Sequence, residues 1–144
     1  MAAYANGKEA ALTAAQAAPY QQAAALTAEK TGGTPDDRAR VYVLLQTDDD
    51  LPYYGLHYYM RPCAQVNATG WHLAADRLEE AYNTWCVPPD AWAQTLADEY
   101  AYVYVYQADD ELRQQYGALF EGDIADHTLW RVVQRDGAVR LRAL

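Results

Sequence analysis

The chain contains no serine, which excludes every hydrolase that attacks its substrate with a serine hydroxyl. Cations are also scarce, because 11 lysines and arginines stand against 20 aspartates and glutamates and leave a formal net charge of −9. Nucleic acids and anionic membrane surfaces attract proteins that carry clustered cations. The charge balance therefore argues against both kinds of partner.

Long apolar runs are missing as well. The longest stretches of large apolar residues, such as residues 41–45, have the length of a strand and fall far short of the roughly 20 residues of a membrane span. Hydrophobic residues nevertheless make up 51% of the chain and charged residues 22%, which is the composition of a folded protein. A length of 144 residues fits one compact domain.

Cysteine and histidine are too few and too scattered to indicate a metal or redox centre. Cys63 and Cys86 permit a disulfide without requiring one, and a redox motif or zinc knuckle needs closer or more numerous ligands. His57, His72 and His127 lack the i, i+4 spacing of a helical metal pair. The residues flanking the cysteines match no cysteine-enzyme signature, so structural cysteines are favoured over a Cys–His nucleophile.

The order of predicted elements indicates an α/β fold. Residues 1–18 form an alanine-rich linker or frayed helical lead-in, and the domain spans residues 19–144. A first helix begins at Pro19, because proline fits the first turn and disrupts a helix interior, and it ends at Lys30. Further helices are predicted over residues 52–59, from residue 88 to 100, and from residue 109 to a stop at Gly122.

Strands are predicted between these helices. Residues 41–46 are apolar on both faces, which is typical of a central parallel strand covered by helices. In residues 101–106 valines alternate with tyrosines, and residues 70–73 are a weaker candidate within a long loop over 64–87. An Asp-Gly turn joins residues 129–133 to 138–141 in a hairpin. We therefore expect a three-layer α/β/α Rossmann-like domain with a small, mainly parallel sheet and a C-terminal β-hairpin.

Acidic residues follow the two best predicted strands. Asp48 and Asp50 come after the first strand, and Asp109 and Asp110 after the later one, so a parallel sheet would bring all four to its carboxyl edge. Carboxylates there could hold Mg²⁺ or Mn²⁺ against a phosphate or a nucleotide sugar. The competing interpretation is that these acids cap helices, and no glycine-rich phosphate loop accompanies them.

Aromatic residues form a second candidate site. Tyr53, Tyr54, Tyr58, Tyr59 and Trp71 could present a surface on which sugar rings stack, because aromatic faces suit the apolar faces of pyranoses. The same side chains could instead serve an interface with a protein partner. They could also belong to the core and its rim, where tyrosine would replace the nearly absent phenylalanine.

Two stretches together resemble a known group of proteins. The aromatic segment YYGLHYYMRP at residues 53–62 and the segment at residues 99–132, with its YVYVY, DE and YGALFEGDI motifs, are similar to the C-terminal tails of large multi-pass bacterial membrane proteins. Those proteins look like GT-C-type glycosyltransferases of the cell envelope, which use lipid-linked sugars. The resemblance covers residues 41–135 and is loose over residues 64–87.

The resemblance implies a location and a role. The chain would be a domain on the extracytoplasmic face of the cell membrane, joined to an upstream transmembrane region of the same polypeptide, and a Cys63–Cys86 disulfide would suit that location. It would carry no catalytic residue and no cofactor, since the catalytic acids of such transferases lie between early membrane spans. We expect a non-catalytic domain that engages glycan or a partner in cell-surface polysaccharide assembly; the alternative is a stand-alone, metal-dependent enzyme that handles nucleotide sugars or phosphates.

Overall fold

The computed structural model describes residues 12–45, 51–68 and 89–144. Helices and strands alternate along these residues up to the last helix, which is followed by a 3₁₀ turn, Gly117–Leu119, and two consecutive strands. In chain order the elements are α1 Ala14–Thr31, β1 Ala39–Leu45, α2 Leu51–Met60, β2 Ala64–Ala68, α3 Pro89–Glu99, β3 Tyr102–Gln107, α4 Asp110–Tyr116, β4 Thr128–Arg135 and β5 Ala138–Ala143.

The five described strands form one mixed sheet in the order β2-β1-β3-β4-β5. β1 pairs in parallel with β2 on one side and with β3 on the other. β4 runs antiparallel to both of its neighbours, β3 and β5. The α/β class predicted from the sequence is confirmed. The sheet is mixed rather than mainly parallel in its pairing, because β4 runs against the direction shared by β1, β2, β3 and β5.

Each face of the sheet has its own apolar core. Alternate residues of a strand point to opposite faces, so Val41 and Val43 pack with α1 and α2 while Tyr42 and Leu44 pack with α3 and α4. The alternation predicted for residues 101–106 is confirmed, because the tyrosines at 104 and 106 join the first core and the valines at 103 and 105 join the second. This two-sided burial is why β1 is apolar at successive positions.

The predicted start of the first helix is wrong, because α1 begins at Ala14 and contains Pro19. A capping box starts the helix: Gln16 N–H donates to the Thr13 hydroxyl at 3.1 Å, and Thr13 N–H donates to the Gln16 side-chain oxygen at 2.9 Å. Two of the donors at the helix start are thereby satisfied before the proline is reached, and Ala17 packs in the core. The bonds of this box, together with the burial of Ala17 and Tyr20, offset part of the cost of the backbone hydrogen bond that Pro19 cannot donate.

Two further boundaries differ from the prediction. α4 ends at Tyr116 rather than near Gly122, because Phe120 is extended, forms a bridge with Leu141 and packs edge-on against Trp130 at 4.8 Å. β2 lies where a loop was predicted, and it gains its strand geometry by pairing with β1. The predicted strand at residues 70–73 lies outside the described residues.

The C-terminal hairpin is confirmed. Asp136 and Gly137 connect β4 to β5 with φ angles of 54° and 80°. Both angles are positive, as a two-residue hairpin turn of the type that Asp-Gly favours requires.

Candidate functional site

The aromatic segment predicted from the sequence lies on α2 and divides between core and surface. Tyr53 is only 5% exposed, and its hydroxyl donates to the carbonyl of Leu45 at 3.4 Å. Tyr59 is half-buried and stacks on Tyr20 of α1 with ring centroids 6.4 Å apart. Tyr53 therefore belongs to the core and offers no exposed ring to a ligand. Trp71 lies outside the described residues.

Tyr54 and Tyr58 form an exposed tyrosine pair on the opposite side of α2. They are 47% and 53% exposed, and their i, i+4 spacing places them on one stripe of the helix. The guanidinium of Arg61 lies over the ring of Tyr58, with 5.6 Å from its central carbon to the ring centroid. This stacked arginine extends the stripe by one further turn.

The close approach of α1 to α2 fixes the direction in which this pair faces. A Cβ atom at Gly55 would lie 2.5 Å from the ring of Tyr20, so only glycine lets that ring lie directly against the helix backbone. Leu56 and Met60 point into the same core. With this side of α2 buried against α1 and the sheet, Tyr54 and Tyr58 face outward.

A pocket of about 390 Å³ adjoins the end of α2. It lies beside the amino-terminal ends of β1 and β2 and the carboxyl-terminal ends of α2 and α3, and we call it the arginine pocket. Its described lining comprises Arg38, Arg40, His57, Arg61, Ala64, Gln65, Val66, Asn67, Glu99 and Tyr100. The predicted ligand edge of the sheet, at the carboxyl ends of β1 and β3, is the opposite one.

The arginine pocket is cationic although the chain is strongly acidic. Arg38, Arg40 and Arg61 form no ion pair with any carboxylate in the part of the chain that the structure describes. The guanidinium of Arg38 instead donates to the backbone carbonyl of Arg61 at 3.4 Å. Among the described lining residues, Glu99 supplies the one carboxylate. In the described part of the lining, three guanidinium groups thus share a concave surface with one carboxylate.

Polar and titratable groups complete the pocket. The side-chain amide of Asn67 donates to the hydroxyl of Tyr100 at 2.5 Å, and burial raises the pKa of Tyr100. Desolvation by the pocket walls lowers the pKa of His57, and the charges of Arg61 and Arg38 lower it further. At neutral pH the imidazole of His57 is therefore uncharged, and one of its nitrogens can donate a hydrogen bond while the other accepts one.

Sequence reasoning missed this pocket because no local pattern marks it. Arg38 and Arg40 lie at the start of β1, whereas Arg61 follows α2, and the fold alone brings them together. The net charge of −9 also hid the cluster, since it averages over the whole chain. The one sequence feature that could have indicated the pocket is the close spacing of Arg38 and Arg40.

The acidic residues that the sequence offered as metal ligands are only partly described. Asp109 caps α4, since its carboxylate accepts a hydrogen bond from Leu112 N–H at 2.9 Å. Asp110 lies exposed in the first turn of that helix. Asp48 and Asp50 lie outside the described residues, and the residues that are described contain no group of three potential ligands close enough to hold a metal ion.

Cys63 is a buried free thiol, so it takes part in no disulfide in this structure. Its sulfur donates to the carbonyl of Ala24 at 3.7 Å, and burial raises its pKa. A raised pKa lowers the thiolate fraction, which is the opposite of what a nucleophilic cysteine needs. Cys86, the other cysteine, lies outside the described residues.

No known protein-family model matches this chain, and neither a curated protein nor a solved structure matches it. Among the described helices, none combines the length and the apolar character needed to cross a membrane.

Proposed function

We propose that this domain binds a carbohydrate on the exposed stripe of α2. The observation that carries the proposal is the tyrosine pair Tyr54 and Tyr58, which are two of the most exposed large apolar side chains in the described residues. Their spacing of one helical turn offers two neighbouring aromatic faces, and stacking on such faces suits the C–H-rich side of a pyranose ring. Arg61 beside Tyr58 adds hydrogen-bond donors for sugar hydroxyls.

In its wider context the domain would be a non-catalytic, extracytoplasmic part of a membrane protein in cell-surface polysaccharide assembly. The support is the resemblance of residues 53–62 and 99–132 to the tails of GT-C-type proteins. The finer architecture proposed with it is a three-layer, Rossmann-like arrangement, supported by the separate cores on the two faces of the sheet. Its partners would be the upstream transmembrane region and the cell-envelope glycan.

The binding proposal is tested by titrating the protein with oligosaccharides and following backbone amide signals by NMR. The probes are short oligomers of glucose, galactose and mannose, together with uronic-acid oligomers. We expect the double variant Tyr54→Ala/Tyr58→Ala to weaken binding about fivefold or more, because each stacked ring contributes about 0.5–1.5 kcal/mol. The double variant Tyr54→Phe/Tyr58→Phe keeps both aromatic faces and should retain most of the affinity.

A matched control is Leu144→Ala, which removes another exposed apolar side chain far from α2 in the sequence. It should leave binding unchanged. Equal affinity of the wild type and the double alanine variant would overturn the assignment of the site.

The membrane context needs a separate experiment. Cells of the source organism are separated into membrane and soluble fractions and probed with an antibody against this domain. A membrane-bound band several times larger than the 16.1 kDa of this chain is expected. A soluble band of that mass would contradict the proposed context and leave the carbohydrate-binding proposal to stand on the titration.

A further inference from the structure

We propose that the arginine pocket is an oxyanion site, which takes a carboxylate or phosphate group borne by the ligand. The further claim that the ligand is an acidic sugar rests on the carbohydrate-binding function proposed above. The claim that the pocket binds an oxyanion does not depend on that function. The ligand class that follows is a glycan with uronic-acid or sugar-phosphate units. Such a ligand would stack on the tyrosine pair and place its acidic group against the arginines.

Charge is the first support for this site. Arg38, Arg40 and Arg61 are three of the 11 basic residues of the chain, and they share one pocket without a paired carboxylate from the described residues. Arginine presents several N–H donors in a planar fork that matches carboxylate and phosphate oxygens. The lowered pKa of His57, which Arg61 and Arg38 help to cause, reflects the same positive field.

A purely structural role does not account for all of this charge. The carboxyl-terminal ends of α2 and α3 lie beside the pocket, and each helix end carries a partial charge of about −0.5. These two ends and Glu99 together offset about two of the three arginine charges. Within the described lining, about one unit of positive charge thus stays without a counter-charge and is available to a ligand, and protonation of His57 would add to it.

The backbone around the pocket holds its arginines in defined places. Ala101 N–H donates to the carbonyl of Arg40 at 3.0 Å, which ties the start of β1 to the segment before β3. Ala39 N–H donates to the carbonyl of Cys63 at 2.9 Å, and the Arg38 side chain bonds to Arg61. Because these links connect β1 to both neighbouring segments, the backbone of the pocket is fixed, and the ordering that a ligand has to impose falls on exposed side chains such as Arg40.

Size and surroundings agree with a sugar that bears an acidic group. A volume of 390 Å³ lies within the range of small-molecule sites, about 300–1,000 Å³. Asn67 and Gln65 offer amide groups that can both donate to and accept from hydroxyls. Arg61 belongs both to the pocket and to the tyrosine stripe, since it lies over the ring of Tyr58. One ligand could therefore reach both surfaces.

The rest of the chain repels anions, and this sets the conditions of the test. At an ionic strength of 0.15 M the screening length is about 8 Å, so acids that lie farther than this from the pocket contribute little to the potential there. We would titrate the full chain at this ionic strength with glucuronate, glucose 6-phosphate, inorganic phosphate and neutral glucose, and follow amide signals by NMR. Glucose is the control for the sugar ring without the charge.

The expected result is that the three anions shift amide signals of residues 38–40 and 61–67, while glucose at the same concentration does not. Arg40→Gln should weaken binding by about tenfold to a hundredfold, the range for losing hydrogen bonds to a charged group. Arg142→Gln is the matched control, because it removes the same charge from an exposed position on β5 and should leave binding unchanged. Thermal unfolding of both variants verifies that they fold.

The outcomes separate this proposal from the proposed function. If no anion shifts the pocket signals, or if Arg142→Gln weakens binding as much as Arg40→Gln, the oxyanion site is overturned. If phosphate compounds bind and glucuronate does not, the site stands and is assigned to phosphate. Anion binding without any binding of oligosaccharides supports the pocket and refutes the glycan function. Neutral and acidic oligosaccharides that bind equally well through the tyrosine pair support the function and refute the acidic-sugar assignment.

Discussion

The carboxylate of Asp109 caps α4 by accepting a hydrogen bond from Leu112 N–H. Asparagine caps helices about as well as aspartate, whereas alanine in place of a capping residue costs about 0.5–2 kcal/mol. We therefore expect Asp109→Ala to lower the free energy of unfolding by about 1 kcal/mol and Asp109→Asn to change it little. Urea denaturation of both variants measures the difference.

The same pair of variants tests the metal-dependent alternative. A ligand that binds only the folded protein raises its melting temperature, so a Mn²⁺ site involving Asp109 would give a Mn²⁺-dependent increase that Asp109→Asn removes. For a residue that only caps the helix, Mn²⁺ has the same small effect on wild type and variant. Asp98→Asn is the control, since it removes an exposed carboxylate of α3 that is not among the candidate metal ligands. A Mn²⁺ response lost only in Asp109→Asn would contradict the capping interpretation.

At the scale of elements, the packing of α1 on α2 depends on Gly55. Replacing this glycine by alanine favours a helix by up to about 1 kcal/mol. The added Cβ, however, would lie 2.5 Å from the ring of Tyr20, which is buried and stacks on both Tyr59 and Tyr106. Overpacking of this kind costs about 1–3 kcal/mol. We expect Gly55→Ala to lower the free energy of unfolding by about 1–2 kcal/mol, measured by urea denaturation.

Gly117→Ala provides the matched glycine control. Gly117 has a φ of −60°, and a Cβ there would meet only the side chain of Ile124, at an ordinary contact distance of 3.8 Å. Its substitution should leave stability unchanged or slightly higher. If Gly55→Ala had the same free energy of unfolding as Gly117→Ala, the ring of Tyr20 would lie farther from the α2 backbone than the structure shows.

The elements that the sequence predicted well are those whose pattern is local. β1 and β3 could be identified because burial on both faces imposes an apolar or alternating pattern on consecutive residues, and the hairpin because Asp136-Gly137 suits its turn. The start of α1 was also encoded locally, in the spacing of Thr13 and Gln16, but the expectation that Pro19 begins the helix obscured it. β2 was beyond local prediction, because pairing with β1 makes it a strand.

The candidate site shows the same division. The tyrosines of α2 stood out in the sequence because they are consecutive, yet only the packing of the helix separates the buried Tyr53 from the exposed Tyr54 and Tyr58. The arginine pocket could not be predicted, since its charges come from the start of β1 and from the turn after α2, which meet only in the folded protein. Sequence pattern thus gave the residue types, and tertiary packing decided which of them share a surface.

For the molecule as a whole, the arginine pocket makes stability depend on pH. Among the described residues, the charged groups that share the pocket with His57 are the cations Arg38, Arg40 and Arg61 and the carboxylate Glu99. Desolvation and the two cations hold the pKa of His57 in the folded state below its value of 6.5 in the unfolded chain. As the pH falls, His57 therefore takes up a proton in the unfolded chain at a higher pH than in the folded chain. By linkage, the free energy of unfolding decreases over this pH range.

We expect the contribution of uncharged His57 to the free energy of unfolding to be fully present above pH 6.5. It should be lost as the pH falls through the folded-state pKa of His57. Urea denaturation between pH 5 and pH 8 should show that the free energy of unfolding of the wild type falls relative to that of His57→Gln as the pH is lowered. The slope of this difference with pH is at most that for the uptake of one proton. The comparison removes the contribution of the carboxylates, which both proteins share. Parallel curves for the two proteins would show that His57 titrates alike in the folded and unfolded chains.

Added phosphate should reverse the effect if the oxyanion site is real. An anion bound beside His57 offsets the field of Arg38 and Arg61, so it raises the pKa of His57 in the folded state and reduces the loss of stability on acidification. The ring protons of His57, followed by NMR from pH 5 to pH 8 with and without phosphate, report this shift directly. An unchanged titration of His57 in saturating phosphate would place any bound anion away from the arginine pocket.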